Sequence, residues 1–446
     1  MYLKKDVFLI VGVSKSGLSC GKFLLNNKAS CYFYEDNLAI KEKNYEIINS
    51  LGGLFVEQED LEEILHKITV VVLSPGVPID CDIAKKVRNL NKRIIGELEL
   101  GLEYLNSPYV AITGTNGKTT TTYLVEHIIN KSGITAYAVG NVGVPVTSMI
   151  GTVGLESLLV AEVSSYQLET ANRIKPHIAV VLNITPDHLS RHYTMENYTY
   201  LKCKLLNNLR ESEYAVLNFD DINVKEFSKK TRAKVVYFSL KEKVNGAYLQ
   251  NGKIYYENQE IISEQEVLLK GKHNLSNVLA SICVCKLLGI ENDIIVNAIS
   301  TFKGAKHRLE FINEIDNVAF YNDSKSTNPD STIKAVESMN KDTILLLGGK
   351  DKQVDYAEMF RVIKNSCVKE IVFFGEARYK LFNVAKEQGL KNLHITTKLK
   401  NATILSKNIA KENYNVLLSP SCSSFDEFNN YEERGEEFIS VVNGLV

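Results

Sequence analysis

Short apolar runs rich in β-branched residues alternate with helix-period segments along nearly the whole chain. Val7–Val11, Val70–Leu73, Val110–Thr113, Leu158–Val163, Ile178–Asn183, Ala319–Asn322, Ile344–Leu347, Ile371–Phe374 and Val416–Ser419 read as strands. Strands this uniformly apolar must be covered on both faces, and a helix between each pair supplies the cover, which predicts parallel sheets in an α/β fold. Each long run ends in Gly, Ser, Asp or Asn. Polar residues then sit at the carboxyl ends of the strands, where open α/β sheets bind ligands, so the chemistry is expected in those loops. Val244–Ile262 departs from the pattern: it alternates with a period of two around Asn251-Gly252 and predicts a β-hairpin. With 446 residues the chain can form roughly two to four domains, each with its own core. Motif grouping suggests breaks near Gly96 and near Gly304.

Charge excludes some partners. Fifty-two Lys and Arg against 53 Asp and Glu leave a net charge of −1, so no global field favours nucleic acid or an anionic membrane, and an anionic substrate must be held by local groups. The segment MYLKKDVFLIVGVSKSG runs from a short apolar stretch straight into glycines rather than into a small-residue cleavage site, and no stretch approaches about eighteen apolar residues. A cytoplasmic protein with no nucleic-acid partner and no membrane insertion is expected. The eight cysteines form no C-x-x-C pair and read as reduced core thiols.

The sharpest local signal is YVAITGTNGKTTTTYLVEHIINKSG: an apolar strand, a glycine loop, and a helix ending at Gly133. Backbone N–H groups of the loop and the helix N-terminus would hold phosphate oxygens. Lys118 would neutralise the β- and γ-phosphates, and the Thr119 hydroxyl would ligate Mg²⁺. ATP is the implied ligand. The loop differs from the usual G-x-x-x-x-G-K-T because Ile112 stands where its first glycine belongs.

The form present, Gly114-Thr115-Asn116-Gly117-Lys118-Thr119-Thr120, resembles the ATP loop of the Mur ligases and of the similar folylpolyglutamate synthases. The resemblance implies three α/β domains. These are a Rossmann-like UDP-substrate domain over residues 1–96, a central ATP-binding domain with a P-loop ATPase-like parallel sheet over 97–304, and a Rossmann-like amino-acid-binding domain over 305–446. It implies a ligase that converts a substrate carboxylate to an acyl phosphate with ATP, after which an amine attacks the acyl carbon to form an amide through a tetrahedral intermediate. No oligomer is implied, and a monomer is favoured.

Glu162 in AEVSSYQLE stands at a strand end, where a carboxylate beside Thr119 could complete a Mg²⁺ site. It matches the family's metal-binding glutamate, while Gln167 and Asn141, in GNVGVP, match residues that hold the UDP-sugar. In NITPDHLSRHYTMENYTYLKCK, His188 matches a ligand of a second metal, and Lys202 matches a lysine that reacts with CO₂ to become a carbamate. A carbamate is an anionic two-oxygen group that can ligate or orient Mg²⁺, as a bare ammonium cannot. Lys204 is the competing lysine; Lys202 is preferred because it completes the N-Y-x-x-x-K pattern from Tyr198. Ser190 departs from the family, which usually has Asp there. Lys118, His188 and Lys202 form the expected catalytic set.

Asn274 and Asn277 lie three apart at the start of an apolar helix and fall to the nucleotide side on the resemblance, Asn277 being the better candidate for adenine. Arg308 could bridge nucleotide phosphates, and Asp323, which follows a strand, could take ribose hydroxyls. Near the N-terminus, Gly12 and Gly17 follow the first strand, but Ser14 replaces the middle glycine of G-x-G-x-x-G. On the resemblance Ser14, Lys15, Ser16 and Gly17 face a uridine diphosphate, Glu35 or Asp36 contacts uracil or ribose, and Gly76 lets the backbone come close.

In the last third, Gly348-Gly349-Lys350-Asp351-Lys352 and SPSCSSFDEFNNYEERGEEF follow strands of one predicted domain. The second stretch resembles that of the D-glutamate-adding branch, whose other substrate is UDP-N-acetylmuramoyl-L-alanine. Thr327, Lys352 and Ser424 then bind the two carboxylates of D-glutamate, with Phe425 and Tyr431 shaping the pocket and Lys350 as the alternative cation. Rival readings explain less. A dehydrogenase rests on Gly12 and Gly17 and leaves Lys118-Thr119 unexplained. A nucleotide-driven switch needs no carbamylatable lysine, and a folylpolyglutamate synthase normally lacks the separate domain formed by Val7–Gly96.

Overall fold

A computed structural model describes residues 3–105, 107–154, 156–269, 271–351 and 354–445. The chain divides into two compact units, Met1–Phe302 and Lys303–Val446. The first unit holds two sheets. One comprises β1 (Val7–Val11), β2 (Ser30–Tyr34), β3 (Leu54–Phe55), β4 (Val70–Leu73) and β5 (Arg93–Ile95), all parallel, in the order β3-β2-β1-β4-β5. Strand order reverses between β1 and β4, which opens a crevice at their carboxyl ends. The helix Lys15–Asn26 packs tightly on the turn after β1: a Cβ on Gly17 would fall 1.9 Å from the Gly12 carbonyl oxygen, so only glycine fits.

The second sheet has nine strands: β6 (Tyr109–Thr113), β7 (Ala136–Gly140), β8 (Leu158–Glu162), β9 (Ile178–Val181), β10 (Tyr214–Asn218), β11 (Lys234–Ser239), β12 (Gly246–Gln250), β13 (Lys253–Tyr256) and β14 (Gln259–Ser263). Their order is β14-β13-β12-β11-β10-β9-β6-β8-β7, parallel from β7 to β12 and antiparallel beyond. Apolar side chains cover both faces: Val110, Ile112 and Val180 pack with Leu124 and Ile128 of the helix Lys118–Lys131, and Ala111, Ala161 and Val181 pack on the other side.

Two details differ from the sequence reading. The expected hairpin is a three-stranded meander, because a second tight turn at Glu257 (φ 47°) and Asn258 (φ 78°) follows the one at Asn251-Gly252 and carries no glycine to mark it. The strand read through Asn183 stops at Val181, because Asn183 turns to bind the loop after β6.

In the second unit, β15 (Glu310–Ile315), β16 (Val318–Asn322), β17 (Thr343–Gly348), β18 (Val368–Phe374), β19 (Leu393–Ile395) and β20 (Asn415–Ser421) form a sheet in the order β15-β16-β20-β17-β18-β19. All but β15 are parallel to their neighbours. Because β20 lies between β16 and β17, the loops after all three strands share one end of the sheet. No described helix is long and apolar enough to cross a membrane. All eight cysteines are unpaired, as expected, but Cys81 and Cys367 are half-buried rather than core residues.

Candidate active site

Strand β6 delivers its loop to the helix Lys118–Lys131 through Gly117, whose φ of 84° is left-handed. A Cβ there would lie 2.2 Å from Asn277 Oδ1, so glycine is required for that amide to rest on the loop. Asn277 in turn donates to Asn274 Oδ1 at 3.3 Å, which joins the two expected asparagines beside the Gly114–Lys118 loop. The loop is clamped from β9's continuation. Thr115 N–H donates to the Asn183 carbonyl at 2.9 Å, Asn116 N–H to Asn183 Oδ1 at 2.8 Å, and Asn183 Nδ2 returns a bond to the Asn116 carbonyl at 3.1 Å. Lys118 Nζ donates to the Gly114 and Thr115 carbonyls, both at 2.8 Å, while Thr119 and Thr120 are buried at the helix start. Asn183 thus engages two backbone donors of the loop and fixes its shape, so a phosphate would be met by the start of the helix.

Lys202 enters the same loop from the helix Met195–Cys203, whose N-cap Thr194 accepts from Asn197 N–H. Its side chain is 1% exposed and donates to the Gly114 carbonyl at 2.8 Å, the oxygen that Lys118 also uses. Its ammonium lies 4.6 Å from the centroid of the Tyr198 ring. Burial, then the neighbouring Lys118 charge, push the Lys202 amine well below the usual lysine range. Lys204 points elsewhere, donating to the carbonyls of Leu168 and Glu169. Glu162, at the end of β8, is 2% exposed; Asn141 Nδ2 donates to its Oε1 at 2.6 Å, and its Oε2 is buried without a hydrogen-bond partner. A buried carboxylate oxygen without a donor, near a buried amine, fits a divalent cation that would satisfy it. Among the described residues no three His, Cys, Asp or Glu side chains gather as a ready-made metal site, so a ligand set here needs Thr119 or a modified Lys202 beside Glu162.

His188 adopts φ 54° before a short helical turn, and its ring is half exposed. Its Nδ1 lies 3.1 Å from the Tyr166 hydroxyl. Around it stands a network that the sequence reading missed. Glu169 binds Arg191 through both carboxylate oxygens, Arg191 Nη2 reaches the Val77 carbonyl at 2.8 Å, and His192 Nε2 lies 2.9 Å from Ser165 Oγ. Gln167 accepts from Ser164 N–H at 2.9 Å in a capping box, so its carbonyl oxygen has a local structural role. The one sequence sign of this network was the density of His, Arg and Tyr in DHLSRHY.

Burial, reinforced by the charges of His188, Arg191 and Lys202, pushes the His192 imidazole from 6.5 down to about 4. The unfolded chain accepts a proton that the folded state refuses, so this contribution to stability is complete above about pH 6.5 and is lost as the pH falls toward 4. His192→Gln is expected to flatten that acid limb, by up to roughly 3 kcal/mol between about pH 7 and about pH 4, in urea unfolding. An unchanged slope would exclude His192 as its source.

At the crevice of the first sheet a cavity of about 500 Å³ is lined by Gly12, Tyr34, Glu35, Asp36, Gln58 and Gly76, among others. Glu35 spends its carboxylate on its own backbone, accepting from Val13 N–H at 2.7 Å and Asn37 N–H at 3.1 Å. Asp36 instead accepts from the Tyr34 hydroxyl, which also meets Gln58. Ser14, Lys15, Ser16 and Gly17 start the adjacent helix rather than lining the cavity, and Lys15 Nζ donates to the Gly143 carbonyl at 2.9 Å.

Within the second unit, Asp323 follows β16 and is buried, accepting from Ser419 Oγ at 2.8 Å and Leu309 N–H at 3.1 Å. Burial pushes its carboxyl up to about 6, against the pull of Ser326, Ser419 and the Arg308 charge. Arg308 is exposed two residues before β15. Thr327 N–H donates to the Lys325 carbonyl, and Ser424 is buried with its carbonyl accepting from Phe428 N–H at 2.9 Å. Phe425 is 65% exposed, Tyr431 opens the helix Tyr431–Asn443, and Lys350 N–H donates to the Ser423 carbonyl at 2.8 Å. Lys352 lies outside the described residues. Arg434, also missed, is fully buried and stitches these loops together: Nε donates to Ser324 Oγ at 3.0 Å, Nη2 to the Ser324 carbonyl at 2.8 Å, and Nη1 to the Cys422 carbonyl at 3.0 Å.

Comparison with known proteins adds three findings. A family model described as the Mur ligase middle domain matches residues 112–285, and one described as the Mur ligase glutamate ligase domain matches residues 307–422. The UDP-N-acetylmuramoylalanine–D-glutamate ligase of Clostridioides difficile (strain 630) is 40% identical over 457 positions, covering the whole of both chains, and its counterpart from Thermoanaerobacter sp. (strain X514) is 39% identical over 453, again in full. Among solved structures, the MurF ligase of Thermotoga maritima in complex with ADP is 16% identical, covers all of both chains and superposes with a TM-score of 0.59, a likeness of fold.

Proposed function

The chain belongs to the Mur ligase family, and from that premise we propose that it ligates D-glutamate to UDP-N-acetylmuramoyl-L-alanine with ATP, in cytoplasmic peptidoglycan precursor synthesis. The observation that carries the reading is the full-length likeness to ligases of that name. In the proposed reaction the substrate carboxylate attacks the γ-phosphate to give an acyl phosphate and ADP. The amine of D-glutamate then attacks the acyl carbon, and the tetrahedral adduct collapses to an amide, releasing phosphate and a proton. Backbone N–H groups at the helix start, beyond the Thr115 and Asn116 donors that Asn183 engages, hold the phosphates, and Lys118 moves its charge from loop carbonyls to the β- and γ-oxygens.

Thr119, Glu162, His188 and carbamylated Lys202 are the groups proposed to hold two Mg²⁺ ions, which when bound neutralise charge on the transferring phosphoryl group. The state of Lys202 supports this. A deprotonated amine is the nucleophile toward CO₂, and burial beside Lys118 favours that form. N–C bond formation with loss of one proton then turns the neutral amine beside Lys118 into an anion.

The cavity at the first sheet is proposed to take the UDP moiety, with Asp36 rather than Glu35 toward the base, since Glu35 is committed to backbone donors. Asn274 and Asn277, Arg308 and Asp323 are assigned to the nucleotide, and Thr327, Lys352, Ser424, Phe425 and Tyr431 to D-glutamate. A dianionic amino acid needs a cation as well as hydroxyl and backbone donors, and losing one charge-assisted contact costs about 1.5–3 kcal/mol. Lys352→Ala should therefore raise the KM for D-glutamate at least about tenfold with ATP and UDP-substrate affinity nearly unchanged, and Lys350→Ala should be milder. Untouched D-glutamate kinetics in Lys352→Ala would remove that assignment.

The function is tested by mass spectrometry of the product formed from UDP-N-acetylmuramoyl-L-alanine, ATP and D-glutamate. A product heavier by one glutamyl residue is expected, and its absence with active, ATP-bound protein would refute the reading.

A further inference from the structure

We propose that Arg191 is a positioning residue for the UDP-linked substrate, its guanidinium holding the turn that walls the cavity of the first sheet. The inference rests on the reading of that cavity as the UDP site. Gly76, Val77, Pro78, Cys81, Asp82 and Ile83 line it, and all six belong to the stretch that leaves β4 and enters the next helix. That stretch begins with a turn closed by Val77 N–H, which donates to the Ser74 carbonyl at 2.9 Å. The turn is fitted to the end of β1. Ser74 Oγ donates to the Gly12 carbonyl at 2.6 Å, and a Cβ on Gly12 would lie 2.9 Å from both Ser74 Cβ and Val77 Cγ2. It is also held by the chain that follows β9. Arg191 Nη2 donates to the Val77 carbonyl at 2.8 Å, and two residues on, the Tyr193 hydroxyl donates to Asp80 Oδ2 at 2.6 Å.

Arg191 is fixed before it reaches Val77. Its Nε and Nη2 donate to the two carboxylate oxygens of Glu169 at 3.0 and 2.5 Å, with the Arg191 side chain 14% exposed and that of Glu169 5%. The Tyr166 ring centroid lies 5.2 Å from the guanidinium carbon. Nη2 carries two protons, so the planar fork serves Glu169 and Val77 together, a geometry that the ammonium of a lysine does not reproduce. A cavity wall set in place beforehand spares a ligand the cost of ordering it. The coupling is reciprocal: if the Arg191 bond favours the nucleotide, the nucleotide must steady the segment that carries Arg191.

The test uses UDP itself as the probe and the full chain. Arg191→Met keeps the aliphatic stem and removes the fork, and Arg191→Met/Glu169→Gln also removes the carboxylate charge left without its partner. Both should weaken UDP about tenfold or more in titration calorimetry, as expected for one lost charge-assisted bond. The KM values for ATP and D-glutamate should stay within about twofold, and kcat at saturating UDP-substrate within about threefold, a split that general loss of structure would not give. In the parent, which needs no substitution, UDP should slow amide hydrogen exchange over residues 188–193 as well as over 74–81. Parent-like UDP affinity in either variant when folded, equal weakening of ATP, or protection in the parent that stops at residue 81 overturns the proposal. A parent that binds ATP but not UDP would instead overturn the reading of the cavity beneath it.

Discussion

Lys118→Ala should lower kcat at least about a hundredfold while the protein stays folded. The loss follows from charge: the ammonium is the loop cation proposed to neutralise the β- and γ-phosphates, and removing one such preorganised donor from a transition state typically costs about 10²–10³ in rate. The fold should tolerate the change, because Lys118 is half-buried at the helix start and its hydrogen bonds go to the Gly114 and Thr115 carbonyls. Gly114 keeps its bond from Lys202, and Asn183 still clamps Thr115 and Asn116. A net loss of about 1–2 kcal/mol in urea unfolding is expected. Substantial ligase activity in a folded variant would sink the assignment of this loop to ATP.

Lys202→Ala should be inactive, and a short-chain carboxylate such as acetate should partly restore it. The carbamate is proposed to supply an oxygen anion beside Glu162 and Thr119, and a small diffusible acid can enter the space left by the missing side chain and present the same atom type. Rescue by a neutral analogue such as acetamide should fail. The stability cost should exceed that of Lys118→Ala, since a 1% exposed side chain packed on Tyr198 leaves a cavity. Mass evidence for unmodified Lys202 together with full activity in CO₂-free buffer would count decisively against carbamylation.

Where the chain announces its function, it does so through residues whose role needs a particular backbone. The backbone around Gly114-Thr115-Asn116-Gly117-Lys118 could be read because the motif calls for a strand, a left-handed glycine and a helix start together, and these coincide. The strands were legible to within a few residues because parallel strands buried on both faces are continuously apolar. The meander was half legible: Asn251-Gly252 advertises its turn, whereas Glu257-Asn258 makes a second left-handed pair from residues with no such signature. Arg434 was invisible for a related reason. In the acidic, helix-forming stretch YEERGEEF it reads as a solvated charge, yet the fold buries it completely to join the loops after β16 and β20. Glu169, Arg191 and Tyr166 likewise meet partners distant in sequence, and the proposed preference for Asp36 over Glu35 rests on backbone donors that the sequence does not show.

The central claim, that this chain joins D-glutamate to a UDP-linked acyl acceptor at the expense of ATP, is tested most directly by ADP release. The assay contains UDP-N-acetylmuramoyl-L-alanine, ATP and Mg²⁺ and is run against a panel of D- and L-amino acids that includes D-glutamate, L-glutamate, L-alanine and a diamino acid. The account predicts stoichiometric ADP with D-glutamate and little with the others. Preference for L-alanine or a diamino acid would contradict the substrate assignment, and ADP release independent of any amino acid would contradict ligation itself.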